Sequence, residues 1–177
     1  DDAVGGPLLP VEAGRIFEAR VRGLDEALDK LETAKAAARA MPVHNPVPGQ
    51  SVSSRFGVRR DPILRLPAMH AGIDFRAKTG TEIRASGSGI VTKAGWAGGY
   101  GRLVEISHGN GLTTRYAHMS KVLVRKGERI ETGTIVGKVG SSGRSTGPHL
   151  HYEIRRNGAA IDPVRFLKAG KKIAGLL

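Results

Sequence analysis

The sequence predicts a mainly β fold, a compact antiparallel sandwich or barrel preceded by one N-terminal α-helix, and three observations carry that prediction. After Gln50, short apolar runs rich in Val, Ile and Thr alternate with glycines every few positions, the texture of short strands and tight turns. Asn110-Gly111 sits between two such runs and tolerates the positive φ angles of a two-residue hairpin turn. No helical period is found from Gln50 until the short stretch near Pro163–Leu167, whereas one dominates before Met41.

The first element spans Val11 to Met41. Phe17, Val21, Leu24, Leu28 and Leu31 recur at alternating spacings of four and three, an a/d seam. Charged residues fill the other faces, and the alanine-rich end stops before Pro42. Such a helix either packs on its own domain or ends a longer coiled coil that begins upstream. Residues 1–41 are therefore set apart as a helical segment. Residues 42–50, from Pro42 through Pro46 and Pro48, form a stiff linker. His44 lies in that linker and is left out of any site.

Residues 51–168 form the β domain. Its expected strands include Ile90–Lys93, Leu103–Ser107, Thr113–His118, Ile135–Val139 and His149–Arg155. His108 adjoins the Asn-Gly turn and is expected at the surface. Residues 169–177 are expected to be a basic tail.

With 177 residues, 40% of them hydrophobic, the chain fits one core-burying domain with an appendage. It has no cysteine, so any metal must be held by nitrogen and oxygen. A net charge of +12 favours an anionic partner. Only 5% of residues are aromatic and no nucleic-acid module signature is present, which argues against nucleic acid. A carboxylate-rich polymer or an anionic membrane surface satisfies the charge equally well. The chain contains no apolar run of membrane-spanning length, so any anchor would lie upstream of Asp1.

The chemistry concentrates in His149-Leu150-His151-Tyr152-Glu153. In a strand, His149 and His151 share a face while Leu150 points to the core and Tyr152 anchors the strand. Glu153 is a candidate partner for a neighbouring metal ligand. His70 and Asp74 are four apart, and in an extended segment they too share a face. Two imidazoles and a carboxylate around one point make a zinc site with room for a water. These four groups exceed the three ligands needed, so one histidine is left as a base or electrostatic stabiliser. His118, in Tyr116-Ala117-His118, is a further candidate.

The motifs His70-Ala71-Gly72-Ile73-Asp74, Tyr116-Ala117-His118 and His149-Leu150-His151, in this order, resemble those of the LytM/lysostaphin-type zinc metallopeptidases, family M23. Ser54-Arg55-Phe56-Gly57-Val58-Arg59-Arg60-Asp61-Pro62 and the stretch Gly140–Pro148 support the likeness, which covers roughly residues 50–168. The resemblance implies one zinc ion per chain, held by His70, Asp74 and His151, with His118 and His149 as the catalytic pair. It implies an endopeptidase acting on peptide cross-links of bacterial peptidoglycan, with the D-alanyl–diaminopimelate link favoured. The helical segment is similar to the coiled-coil stalks of Gram-negative members, which implies an extracytoplasmic, periplasmic setting and contact with other cell-wall, division or elongation proteins. Some Gram-positive members carry a tyrosine before the first ligand; the corresponding stretch here is Ile63-Leu64-Arg65-Leu66-Pro67. Tyr100, Arg102, Ser142 and Arg144 are the expected substrate contacts, since their glycine-rich loops would wall a groove and the arginines would meet carboxylates. The competing reading is a non-catalytic regulator that activates a cell-wall amidase. Members of that kind lack one or more of the five residues, and this chain has all five.

Overall fold

A computed structural model describes residues 11–60 and 65–174. Asp61-Pro62 of the supporting motif, Ile63-Leu64 and the last residues of the expected basic tail lie outside the described residues. The chain divides into two units, Asp1–Ala38 and Arg39–Leu177.

Helix α1 (Val11–Ala40) spans the segment with the heptad-like pattern, and its seam residues Phe17, Val21, Leu24, Leu28 and Leu31 are all exposed. Pro42 then removes a backbone donor, and the helix goes no further.

In the second unit the strands are β1 (Val52–Ser54), β2 (Gly57–Arg60), β3 (Pro67–His70), β4 (Ile73–Arg76), β5 (Glu82–Arg84) and β6 (Gly89–Trp96). They continue as β7 (Arg102–Gly109), β8 (Leu112–Val122), β9 (Arg129–Ile130), β10 (Ile135–Val139), β11 (His149–Arg156) and β12 (Ala159–Ile161). Ten of them form one antiparallel sheet ordered β1-β4-β11-β8-β7-β6-β9, with β10 pairing β5 and β8, and β12 pairing β11. A separate ribbon joins β2 to β3. Each of the five expected strands is present, one with the expected bounds and four longer by one to five residues. The hairpin between β7 and β8 turns at Asn110 (φ 48°) and Gly111 (φ 71°), the two positive φ values that a type I′ turn demands.

The core lies on one face of the central strands. Ile73 and Phe75 of β4, Tyr116 of β8, and Leu150, Tyr152 and Ile154 of β11 are all at most 1% exposed. Alternation leaves Asp74, His149, His151 and Glu153 on the opposite face.

Two expectations are corrected here. The chain beyond Lys168 is not a tail through residue 174: α2 runs from Pro163 to Ala174. Pro163 pre-sets the first turn, the Val164 N–H donates to Asp162 Oδ1 at 3.0 Å, and Val164, Phe166 and Leu167 pack against the core. Gly170 sits inside this helix because the Val43 carbonyl leaves no space for a Cβ. Nor is His108 a surface residue. It is 7% exposed, with Nδ1 donating to the Ser88 carbonyl at 2.7 Å and Nε2 lying 2.8 Å from Thr114 Oγ1. Thr114 in turn meets the Tyr116 hydroxyl, which meets Ser86, which accepts from Tyr152. Four polar side chains thus satisfy His108 and one another beneath the sheet.

Candidate metal centre

The register of β4 on β11 pairs Asp74 with His151 directly across the ladder. Both side chains therefore leave the same face at close range. His70 arrives differently from the expectation of one extended segment. It ends β3, in the separate ribbon, and the bend at Ala71-Gly72 carries the chain into β4. Gly72 makes the bend possible, because the Tyr152 carbonyl leaves no room there for a Cβ. The meeting of His70 with Asp74 rests on that turn, and the even spacing in sequence has no part in it.

Three atoms converge. His70 Nε2 lies 3.1 Å from Asp74 Oδ1 and 3.1 Å from His151 Nδ1, and His151 Nδ1 lies 2.9 Å from Asp74 Oδ1. The outer nitrogens fix the tautomers. His70 Nδ1 donates to the Arg55 carbonyl at 2.7 Å, and His151 Nε2 donates to Glu153 Oε1 at 3.1 Å. When both rings are neutral, as a bound metal requires, the inward nitrogens are bare and two lone pairs and a carboxylate oxygen face one point. Without a metal, a proton on His151 bridges it to Asp74. A His–His–carboxylate donor group with both imidazoles anchored from behind fits a divalent metal such as zinc.

The electrostatics agree. Burial lowers His151, but the carboxylates of Asp74 and Glu153 on its two sides outweigh it and push its pKa up to about 9. Burial raises Asp74, and hydrogen bonds from His151 and His70 overcome it, holding the carboxyl well below the usual range. Glu153 is 0% exposed, and hydrogen bonds from His151, Arg155 and Tyr100 override burial to bring it down to about 2. The centre attracts positive charge.

The other two histidines stand beside this triangle. The His118 and His149 rings are 4.8 Å apart, and His118 is 5.8 Å from His151, centroid to centroid. His118 Nδ1 donates to the Ser142 carbonyl, and His149 Nδ1 to the Gly147 carbonyl, each at 2.7 Å. Their Nε2 atoms are left for chemistry, that of His149 lying 3.9 Å from Asp74 Oδ1. Burial, with His149 and His151 nearby, pushes His118 down to about 4.

His118 reaches this face through a break in alternation. Tyr116 pairs with Tyr152 on the core side and Ala117 with His151 on the metal side, so the next residue should turn inward. Its φ of 58° turns it outward, beside a register shift in the β7–β8 ladder.

A cleft of about 640 Å3 opens over the centre. Of the four expected substrate contacts, Tyr100 and Arg144 line it, while Arg102 and Ser142 do not. Ser142 serves the scaffold instead: its Oγ donates to the Met119 carbonyl and accepts the Arg102 N–H, and its carbonyl holds His118. Tyr100 donates its hydroxyl to Glu153 Oε1 at 2.8 Å. Arg59, named in the sequence only within a supporting motif and assigned no role at the site, also lines the cleft and lies 3.4 Å from Asp74 Oδ2. Only the β2–β3 pairing reveals it.

Residues 68–163 match the model of peptidase family M23. The DD-carboxypeptidase/endopeptidase Mpg of Neisseria meningitidis is 50% identical over 113 residues, covering 64% of this chain and 26% of the relative. The chain thus spans about a quarter of the length of the curated relatives it matches. Among solved structures, a zinc-containing peptidase from Vibrio cholerae superposes with a TM-score of 0.62 at 32% identity, over 66% of this chain and 37% of that one. The catalytic domain of the antimicrobial peptidase lysostaphin from Staphylococcus simulans gives 0.64 at 33% identity, over 71% and 98% respectively.

Proposed function

This chain belongs to peptidase family M23, and on that premise we propose that it is a zinc-dependent endopeptidase hydrolysing peptide cross-links of bacterial peptidoglycan. The observation that carries the reading is the convergence of three ligand atoms, from His70, Asp74 and His151, within 3.1 Å of one another and beside two further anchored histidines. The name of the neisserial relative favours a DD-type bond, and the D-alanyl–diaminopimelate link is the one proposed here. Peptidoglycan lies outside the cytoplasm, so the same reading places the enzyme in the cell envelope.

His70 Nε2, Asp74 Oδ1 and His151 Nδ1 would hold the ion. Bound zinc supplies a Lewis acid that polarises a peptide carbonyl and brings the pKa of water toward neutrality. The protein's own residues do the rest. Asp74 and Glu153 keep the centre anionic, so that it retains a cation without thiolates. His118 and His149, each fixed through Nδ1 to a backbone carbonyl, present Nε2 toward the cleft. There they exchange protons with the attacking water and the leaving amine, and either, once protonated, stabilises negative charge on the carbonyl oxygen. Arg144 and Arg59 on the cleft wall match the carboxylates of a stem peptide.

Purified protein supplied with one equivalent of zinc should release monomeric muropeptides from cross-linked dimers. Stoichiometric zinc binding without cleavage, combined with stimulation of a cell-wall amidase, would overturn this reading in favour of a regulator.

A further inference from the structure

We infer that Tyr100 is a positioning residue for the metal centre, acting through Glu153; this rests on the proposal that His70, Asp74 and His151 hold zinc. Three hydrogen bonds and one longer ion pair surround the buried Glu153 carboxylate. Oε1 accepts from the Tyr100 hydroxyl at 2.8 Å and from His151 Nε2 at 3.1 Å, while Oε2 accepts from Arg155 Nη1 at 2.6 Å with Arg115 Nη1 at 3.8 Å. The two donors on Oε1 share one oxygen. The tyrosine hydroxyl therefore aims the atom that decides which nitrogen of His151 is bare and faces the metal.

Tyr100 is itself held from three sides. Its ring packs 6.0 Å from that of His151, and the Arg115 guanidinium lies 5.5 Å from the ring centroid and 3.4 Å from the hydroxyl. Arg115 is pinned in turn, its Nε donating to Glu105 Oε2 at 2.6 Å. The backbone is equally fixed: the 3-10 turn Gly98–Tyr100 is closed by Ala97 N–H donating to Gly101 O, and Arg144 N–H donates to Gly99 O. Gly101 (φ 65°) presses on the backbone of Ser142 with no space for a Cβ. Ser142 is the residue whose carbonyl orients His118. One locked pair of loops thus sets His118 from one side and, through Tyr100 and Glu153, His151 from the other.

The hydroxyl of Tyr100 is accordingly committed to Glu153, and only its ring is offered to the cleft. The test is a double-mutant cycle on zinc affinity, measured by chelator competition on the full chain without substrate. Tyr100→Phe keeps the ring and removes the hydroxyl. It should weaken zinc binding about tenfold, the low end for partners that orient a ligand, and Glu153→Gln by more. In the Glu153→Gln background the additional effect of Tyr100→Phe should shrink below about twofold. A Tyr100→Phe protein with wild-type zinc affinity, or a loss that persists in full when Glu153 is already changed, overturns the inference. If the wild-type chain takes up no zinc, the proposed function fails and this inference with it; if zinc binds and the cycle couples but no muropeptide is cut, only the proposed reaction fails.

Discussion

The Ser142 carbonyl oxygen lies 2.7 Å from His118 Nδ1, and the backbone of His118 is left-handed to allow it. A β8 strand without that kink would bury the imidazole beside Tyr116. Backbone strain at this position is thus traded for a side chain on the metal face.

A stability reversal follows. Alanine normally outperforms glycine in regular structure, but at φ 58° a Cβ is penalised and glycine is not. The His118→Gly protein should be more stable than His118→Ala by about 1 kcal/mol in urea unfolding. Equal midpoints, or a more stable alanine variant, would show that the kink relaxes. Both variants should bind zinc while losing cleavage of cross-linked dimers; retained turnover would remove His118 from the mechanism.

Loss of a ligand should separate from loss of a proton carrier. His70→Ala leaves Asp74 and His151 with two donor atoms, so zinc and turnover should disappear together. His149→Ala should keep the metal and lower kcat, by about a hundredfold if proton transfer is its role. Zinc content by atomic absorption, read beside muropeptide release, distinguishes the two classes. A His149→Ala protein that cannot retain zinc would make His149 a ligand.

His108 should make stability depend on pH. Burial lowers its pKa below the ordinary value of 6.5 that it regains on unfolding. As pH falls below about 6.5 the unfolded chain binds a proton that the folded protein refuses, so stability declines toward acid, by at most about 1.4 kcal/mol per pH unit. His108→Asn should be less stable at pH 7.5, through its lost contacts, yet show a shallower decline between pH 7 and 5. Identical slopes in the two proteins would contradict the assignment.

Gly72 should resist enlargement. Its missing Cβ lets the β3–β4 bend close against the Tyr152 carbonyl, and that bend delivers His70. Gly72→Ala should cost about 1–3 kcal/mol and weaken zinc binding together. An alanine variant with native zinc affinity would show that His70 does not depend on the bend.

Much of this was legible in the sequence. The strands and hairpin follow from apolar alternation and Asn110-Gly111, and parity alone puts His149 and His151 on one face against Leu150 and Tyr152, with Glu153 a candidate partner for a metal ligand. What escaped depends on pairing or on turns. His108 was expected outside because its neighbours are turn residues; its burial comes from Ser88 and Thr114, which no local pattern announces. Strand parity likewise gave the wrong reason for His70, since a bend at Gly72 interrupts the segment. The brace of Arg115, Glu105 and Tyr100 joins β7, β8 and a 3-10 turn, and it emerges only once those elements are in register. The loop composition around Ser142 suits scaffold and substrate contact alike, so its role emerges only from the Met119 and Arg102 contacts.

Anomalous diffraction at the zinc edge from crystals of the zinc-loaded chain tests the account most directly. It predicts one strong peak per chain, about 2.0–2.2 Å from His70 Nε2, an Asp74 carboxylate oxygen and His151 Nδ1, with no protein atom in the fourth position. A peak bound by other residues, a coordination sphere closed by His149 or His118, or no peak at saturating zinc would contradict it.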